Sequence, residues 1–296
     1  MSASSSQSKQ GLIYGFTAYF IWGLAPVFFK LLQQVPTYEI IAHRIIWSLS
    51  LLIVIITVSR NWQGVLVIFS RPKTLMGLLL TSILVCSNWT IFIWAINHDH
   101  VLESSLGYFI CPLTSIFLAV IFLKEHFRSL QWLALVLAAA GVMIQLWVFG
   151  SLPIVALGLA LTFSLYGFFR KKIGVDAMAG LFFETLILLP FAFAYLYFEG
   201  SATSSIFNNS MKLNLLLMAC GAITTIPLLF FNAAAIRIKL SVMGLLQYCG
   251  PIMTFLLAVF VYHEPMGMDK WVTFGFIWVG VALFVWDSVH NNRQHH

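Results

Sequence analysis

Charge is scarce in this chain. Only 9% of its 296 residues are Asp, Glu, Lys or Arg. A soluble domain carries about a quarter, and so little charge cannot clothe a water-facing surface. That excludes an ordinary soluble enzyme, a disordered chain and a fibrous one. Catalytic punctuation is missing as well. There is no HExxH, no GxSxG and no GxxxxGK[ST], the spacings of zinc proteases, hydrolase elbows and nucleotide-binding loops. The four aspartates, Asp99, Asp176, Asp269 and Asp287, stand at the ends of apolar runs, so no aspartyl pair is available inside them for general acid–base work. No catalytic residue is assigned; a membrane enzyme without a recognisable motif stays open as an alternative. Cys86, Cys111, Cys220 and Cys249 lie within apolar runs and lack CxxC spacing. They read as small core residues rather than a disulfide frame or metal site, and neither a metal nor a cofactor is implied. The net charge of +6 is spread along the chain, which gives nucleic acid no basic stripe to follow.

What the chain has instead is hydrophobic length. Sixty per cent of its residues are apolar or aromatic. Ten stretches stand out, at 11–32, 38–58, 74–97, 101–123, 130–148, 151–170, 177–198, 212–236, 241–262 and 269–288. Period-2 alternation is absent, and each run is long enough for a helix to cross a bilayer; a closed barrel would need alternating segments of about ten residues. The first run is too long for a signal-peptide core and is read as a retained span. The connections are short, so neighbouring helices run antiparallel. The lipid bilayer is therefore a partner of the whole chain.

Lys and Arg give the orientation. Lys9, Arg60, Arg71, Lys73, Lys124, Arg128, Arg170, Lys171, Lys172, Arg237, Lys239 and Arg293 fall on the N-terminal side, against Lys212 and Lys270 on the other. The positive-inside rule then places both termini, the polar tails 1–10 and 290–296, in the cytoplasm. That alternation requires an even number of spans.

An internal repeat runs at a constant offset of 139 residues. Pro112 matches Pro251, and Leu118, Ala119 and Val120 match Leu257, Ala258 and Val259. Glu125 matches Glu264, Trp132 matches Trp271, Gly141 matches Gly280, and Trp147 matches Trp286. The expected fold is an all-α integral membrane protein of ten helices, made of two five-helix repeats at 11–148 and 151–289. Five is odd, so the second copy enters from the opposite side and the halves are inverted. Such halves have two similar arrangements, one open to each face, with a substrate site where they meet. Pro112 and Pro251 interrupt corresponding spans and are candidate hinges.

Several stretches carry a wider likeness. AYFIWGLAPVFFK (18–30), EIIAHRIIWS (39–48), NWTIFIWAINH (88–98), ESSLGYFICPL (103–113) and QLWVFGSLPIVALGLALTFSLYGFFRKK (145–172) resemble the RarD family, EamA-domain proteins of the drug/metabolite transporter superfamily. The resemblance covers nearly the whole chain. It implies two EamA repeats, a bacterial inner-membrane location, cytoplasmic termini, and small-molecule transport, usually export, without ATP hydrolysis. The family also carries a label of chloramphenicol sensitivity, a weak guide to substrate.

The candidate site residues come from the polar groups inside the runs, where an ionisable side chain faces a cavity or a partner. Glu39, His43 and Trp47 share a helix face at i, i+4, i+8, with Arg44 beside it. Arg44 is the leading candidate for a substrate anion, its alternative being a fixed ion pair with Glu184 or Glu39. Glu184, Glu103, Glu39 and Lys30 are candidates for proton or charge coupling. His43 is either a relay or a satisfied core histidine. Asn88, Trp89, Trp94, Tyr108, Tyr166, Asn232, Gln247 and Tyr248 supply candidate polar and aromatic lining for a small-molecule substrate. Glu125 and Glu264 read as caps, and Gly11 with Gly15 as a close-approach GxxxG that is a weak signal for a dimer. A secondary transporter is the expected function, by exchange, facilitated diffusion or proton coupling. A channel is disfavoured because no repeated filter is visible. Substrate, stoichiometry and oligomeric state are not encoded legibly.

Overall fold

A computed structural model describes residues 2–98, 100–150, 152–256 and 267–294. Among them the chain is helical: α1 (Ser2–Lys30), α2 (Thr37–Val58), α3 (Trp62–Phe69), α4 (Pro72–Asn97), α5 (Val101–Phe122), α6 (Ser129–Phe149), α7 (Ile154–Ile173), α8 (Ala177–Phe198), α9 (Met211–Ala235), α10 (Leu240–Leu246), α11 (Cys249–Leu256) and α12 (Met268–Gln294). Eight of these are long and apolar enough to cross a membrane; the stretches Leu240–Met253 and Trp271–Phe284 are apolar but shorter.

The sequence reading is corrected in four places. Residues 2–10, expected as a tail, extend α1, because Ser, Gln and Lys cost little once a helix is nucleated. The connection after the second span contains α3, which lies on α8 through Trp62 against Phe182 and Phe69 against Phe183. The ninth stretch is broken at Gln247–Tyr248 into α10 and α11. Pro251 therefore sits in the first turn of α11, where its missing N–H costs nothing. Pro112 is inside α5 as expected. Finally, Gly11 and Gly15 face Ile238, Ala234 and Leu246 of the same chain, so this GxxxG is spent internally. The repeat partners Leu257, Ala258, Val259 and Glu264 lie outside the described residues.

Two apolar cores hold the bundle. The larger joins α1, α2, α4, α7, α8 and α9, and the smaller gathers Ile116, Ala134, Ala138, Tyr248, Ile277 and Phe284 from α5, α6, α12 and the α10–α11 break. Outward faces keep large exposed apolar groups such as Trp147, Phe191 and Phe198, as expected of a surface whose solvent is hydrocarbon. Close approach of α2 and α9 depends on Gly221, where an added Cβ would sit 2.5 Å from the Trp47 backbone carbonyl carbon. Backbone cannot swing aside, so Gly221→Ala is expected to destabilise by about 1–3 kcal/mol, read as a lowered melting temperature in detergent. An unchanged melt would show that this contact is loose.

Helix ends are tied by side chains. Glu125 accepts the N–H groups of Leu240 and Ser241 at 2.9 and 3.2 Å and so caps α10, the capping role read from the sequence. Lys171 donates to the carbonyls of Ala235 and Ile238 at the end of α9.

Candidate functional site

Consecutive long helices alternate in direction. The near face is defined as the one where α1 starts, and the far face as the one where α1 ends and α2 begins. Arg44 is the eighth residue of α2 and Glu184 the eighth of α8. At 1.5 Å per residue each is about 10 Å from its helix start, but α2 begins at the far face and α8 at the near face. The chain thus buries one group of each sign at matching depths from opposite faces.

A cavity occupies the far half. It holds about 930 Å³ of space, its open mouth included. Tyr19, Trp22, Pro26 and Phe29 of α1 line one wall, Asn88, Trp89 and Phe92 of α4 another, and Tyr108, Cys111, Leu159 and Phe163 of α5 and α7 a third. Gln247 and Gly250 close it at the α10–α11 break. That break leaves Gln247 free of a regular helix, and Oε1 of its side chain lies 3.3 Å from Ser115 Oγ, which is 3.0 Å from Ser164 Oγ.

Among the described residues, Arg44 is the only charged side chain on the lining. It is 5% exposed. Its Nε donates to Thr224 Oγ1 of α9 at 2.9 Å. Its guanidinium carbon lies 4.6 Å from the Trp89 ring centroid and 5.1 Å from that of Phe29, contacts that suit a delocalised cation. The fixed ion pair with Glu184 or Glu39 considered from the sequence is not formed.

A second cluster lies in the near half. Glu184 Oε1 lies 3.6 Å from Arg170 Nη1, and both residues are 1% exposed. Thr81 Oγ1 of α4 donates to Glu184 Oε1 at 2.6 Å, and the Tyr166 hydroxyl donates to Oε2 at 3.1 Å. Asn232 Nδ2 of α9 donates to the Tyr166 oxygen at 2.9 Å. Four helices therefore meet in this cluster, α4 and α7 at the carboxylate of α8 and α9 through Tyr166. Arg170, counted in sequence as an orientation-setting loop charge, is buried as the counterion. It fits because Gly180 of α8 has no Cβ, which would otherwise stand 2.0 Å from Arg170 Nη1.

Of the lining residues expected from sequence, the cavity gathers Arg44, Asn88, Trp89, Tyr108 and Gln247. Tyr166, Asn232 and Glu184 belong to the near-half cluster instead. His43 is buried off the cavity, and Trp47 packs on Gly221. Trp94 stacks on His98 and His100 beyond the cavity. Tyr248 is fully buried in the smaller core. Glu39 accepts hydrogen bonds from Ser201, Thr203 and Ser204 and so clamps the α8–α9 loop. Glu103 accepts the Val155 N–H at 3.1 Å and meets His100 Nδ1 at 3.1 Å, which makes it a cap on α7. Lys30 ends α1 and does not line the cavity. Sequence reasoning missed the α1 wall, Phe163, Thr81, Thr224 and Arg170. The available signal for α1 was its Gly23, Ala25 and Pro26, small or kinking residues that leave room on one face.

Comparison with known proteins agrees with this architecture. The chain matches the EamA-like transporter family twice, over residues 9–147 and 151–286. It is 53% identical to the protein RarD of Salmonella typhi, over 98% of this chain and 99% of that one. It is 50% identical to the protein RarD of Escherichia coli strain K12, over 98% of each chain. A solved crystal structure that is 17% identical superposes with a TM-score of 0.70, over 93% of this chain and 97% of the other, a likeness in fold alone.

Proposed function

Since this chain belongs to the EamA-like transporter family and is a multi-pass membrane transporter, we propose that it is a secondary carrier of the bacterial inner membrane which exports small organic solutes by alternating access, with the far-half cavity as its substrate site. The near face is cytoplasmic on the Lys and Arg count. The ten-span, inverted-repeat reading draws support from which helices touch. α1 packs on α9 as α7 packs on α4, α5 packs on α7 as α1 packs on α11, and α2–α8 and α6–α12 are self-matched pairs. Exchanging the two halves preserves that pattern.

The observation that carries the reading is the division of labour along the membrane normal. The cavity sits in the far half, and the Glu184–Arg170 cluster seals the near half. This is the arrangement from which a substrate would leave outward. Loading from the cytoplasm requires the near cluster to part and the far half to close around Arg44. A water-filled channel would need a continuous path past Glu184, where four helices converge. Energy coupling by exchange, by facilitated diffusion or by protons fits the same two states; flux indifferent to an imposed pH gradient would remove Glu184 as a proton carrier.

The test is an accumulation screen of small metabolites in proteoliposomes, followed by counterflow with the best hits. Saturable uptake with counterflow, weakened by Trp89→Ala, is expected. Non-saturating flux without counterflow would replace the carrier by a channel, and tags placing positions 150 and 290 on one face would overturn the inverted repeat.

A further inference from the structure

The cavity also says which charge its cargo carries. Resting on the transport reading above, we infer that the site selects a small aromatic or apolar carboxylate, with Arg44 as the anion-binding residue.

The argument starts from an imbalance. A guanidinium in a protein stays charged, and in the membrane interior it needs an acceptor. Thr224 meets one nitrogen of Arg44, while among the described residues Nη1 is buried with no hydrogen-bond partner. The titratable neighbours of Arg44 are Cys86, Tyr108 and Cys220, none of them a carboxylate. The rings of Trp89 and Phe29 cover the guanidinium and hold its plane, but a ring face cannot accept the in-plane N–H groups. The missing partner is an anion presented edge-on, and a carboxylate matches that fork with two parallel hydrogen bonds. The cost of burying the cation has already been met in folding, so the ligand gains the pairing without it.

The rest of the lining specifies the rest of the ligand. Trp22, Trp89, Phe29, Phe92 and Phe163 make it mostly aromatic, while Asn88, Tyr108 and Gln247 offer isolated polar contacts. With no Asp or Glu on the lining among the described residues, an amine would meet Arg44 as a like charge, and a neutral analogue would leave Arg44 uncompensated.

The test is equilibrium binding to the purified full chain in phosphatidylcholine nanodiscs, using 3-phenylpropanoate, 3-phenylpropanamide and 3-phenylpropylamine. These probes share a skeleton and differ in charge. The acid is expected to bind at least about tenfold more tightly than the amide, with the amine weakest. Arg44→Gln should bring the acid-to-amide ratio close to one, and Arg44→Lys should keep part of it. The ordering in the unaltered chain tests the idea even if a variant folds poorly. Amide or amine binding as tight as the acid would overturn the assignment, as would failure of all three to bind. If phosphatidylglycerol in the nanodisc displaces the acid, a lipid headgroup is the true occupant and the small-carboxylate assignment falls. Failure here with intact, Trp89-sensitive counterflow removes only the anion class; absence of counterflow removes the transport reading itself.

Discussion

Glu184→Leu is expected to destabilise the protein by about 3–5 kcal/mol, the range for stripping one partner from a buried pair. Arg170 would remain 1% exposed with its charge and no carboxylate. Arg170→Met should cost less, since an abandoned carboxylate can take up a proton and Thr81 and Tyr166 still reach it. The double variant Glu184→Leu/Arg170→Met should regain most of the loss, because apolar groups of similar volume need no partner. Tryptophan-fluorescence unfolding in detergent measures all three. The decisive feature is the order: Glu184→Leu weakest, Arg170→Met intermediate, the double variant nearest the parent. If the two single variants were equal and additive, the pair would not be the closure of the near half. Flux should separate from stability. The refolded double variant is expected to transport at least about tenfold more slowly, as an apolar near half cannot hydrate and part for cytoplasmic loading.

Arg44→Ala should behave in the opposite way. It removes the only charge that the described residues place on the cavity lining and leaves no orphan carboxylate among them, for Arg44 has a threonine and two aromatic rings as neighbours. The change in stability should stay within about 1–2 kcal/mol, the ordinary span for a side-chain truncation. Counterflow should fall by about tenfold to a hundredfold, the loss of one charge-assisted contact. A folded Arg44→Ala protein that transports like the parent would move the substrate site elsewhere. Together the two variants distinguish a group that keeps the bundle closed from one that holds cargo, although both are buried ions at equal depth in corresponding helices.

The spans were legible because lipid imposes one simple condition, about twenty apolar residues with every backbone group bonded internally. The break at Gln247–Tyr248 was less legible. Pro251 pointed to it, but a proline tolerates both a kink inside a helix and a place in a new first turn, and the packing of Gly244 against the Pro112 carbonyl is a matter between helices. The candidate site divided similarly. Arg44, Asn88, Trp89, Tyr108 and Gln247 could be singled out as polar or aromatic groups within apolar runs, whereas the α1 wall looked like any other lipid-soluble stretch.

Composition and hydrophobic run length thus determined that the chain is an all-helical membrane protein, since these depend on residue totals and on order along one dimension. Which buried ion meets which partner was decided only by tertiary structure. Arg170 and Glu184 are 14 residues apart in sequence and on separate helices, and the Arg170 guanidinium reaches its place against Gly180, which has no Cβ to meet it. Arg44 looked equally able to take that carboxylate. It does not, because the two groups are set at equal depths from opposite faces, and each meets only what the bundle brings beside it, Thr224 and two aromatic rings for Arg44 and Arg170, Thr81 and Tyr166 for Glu184.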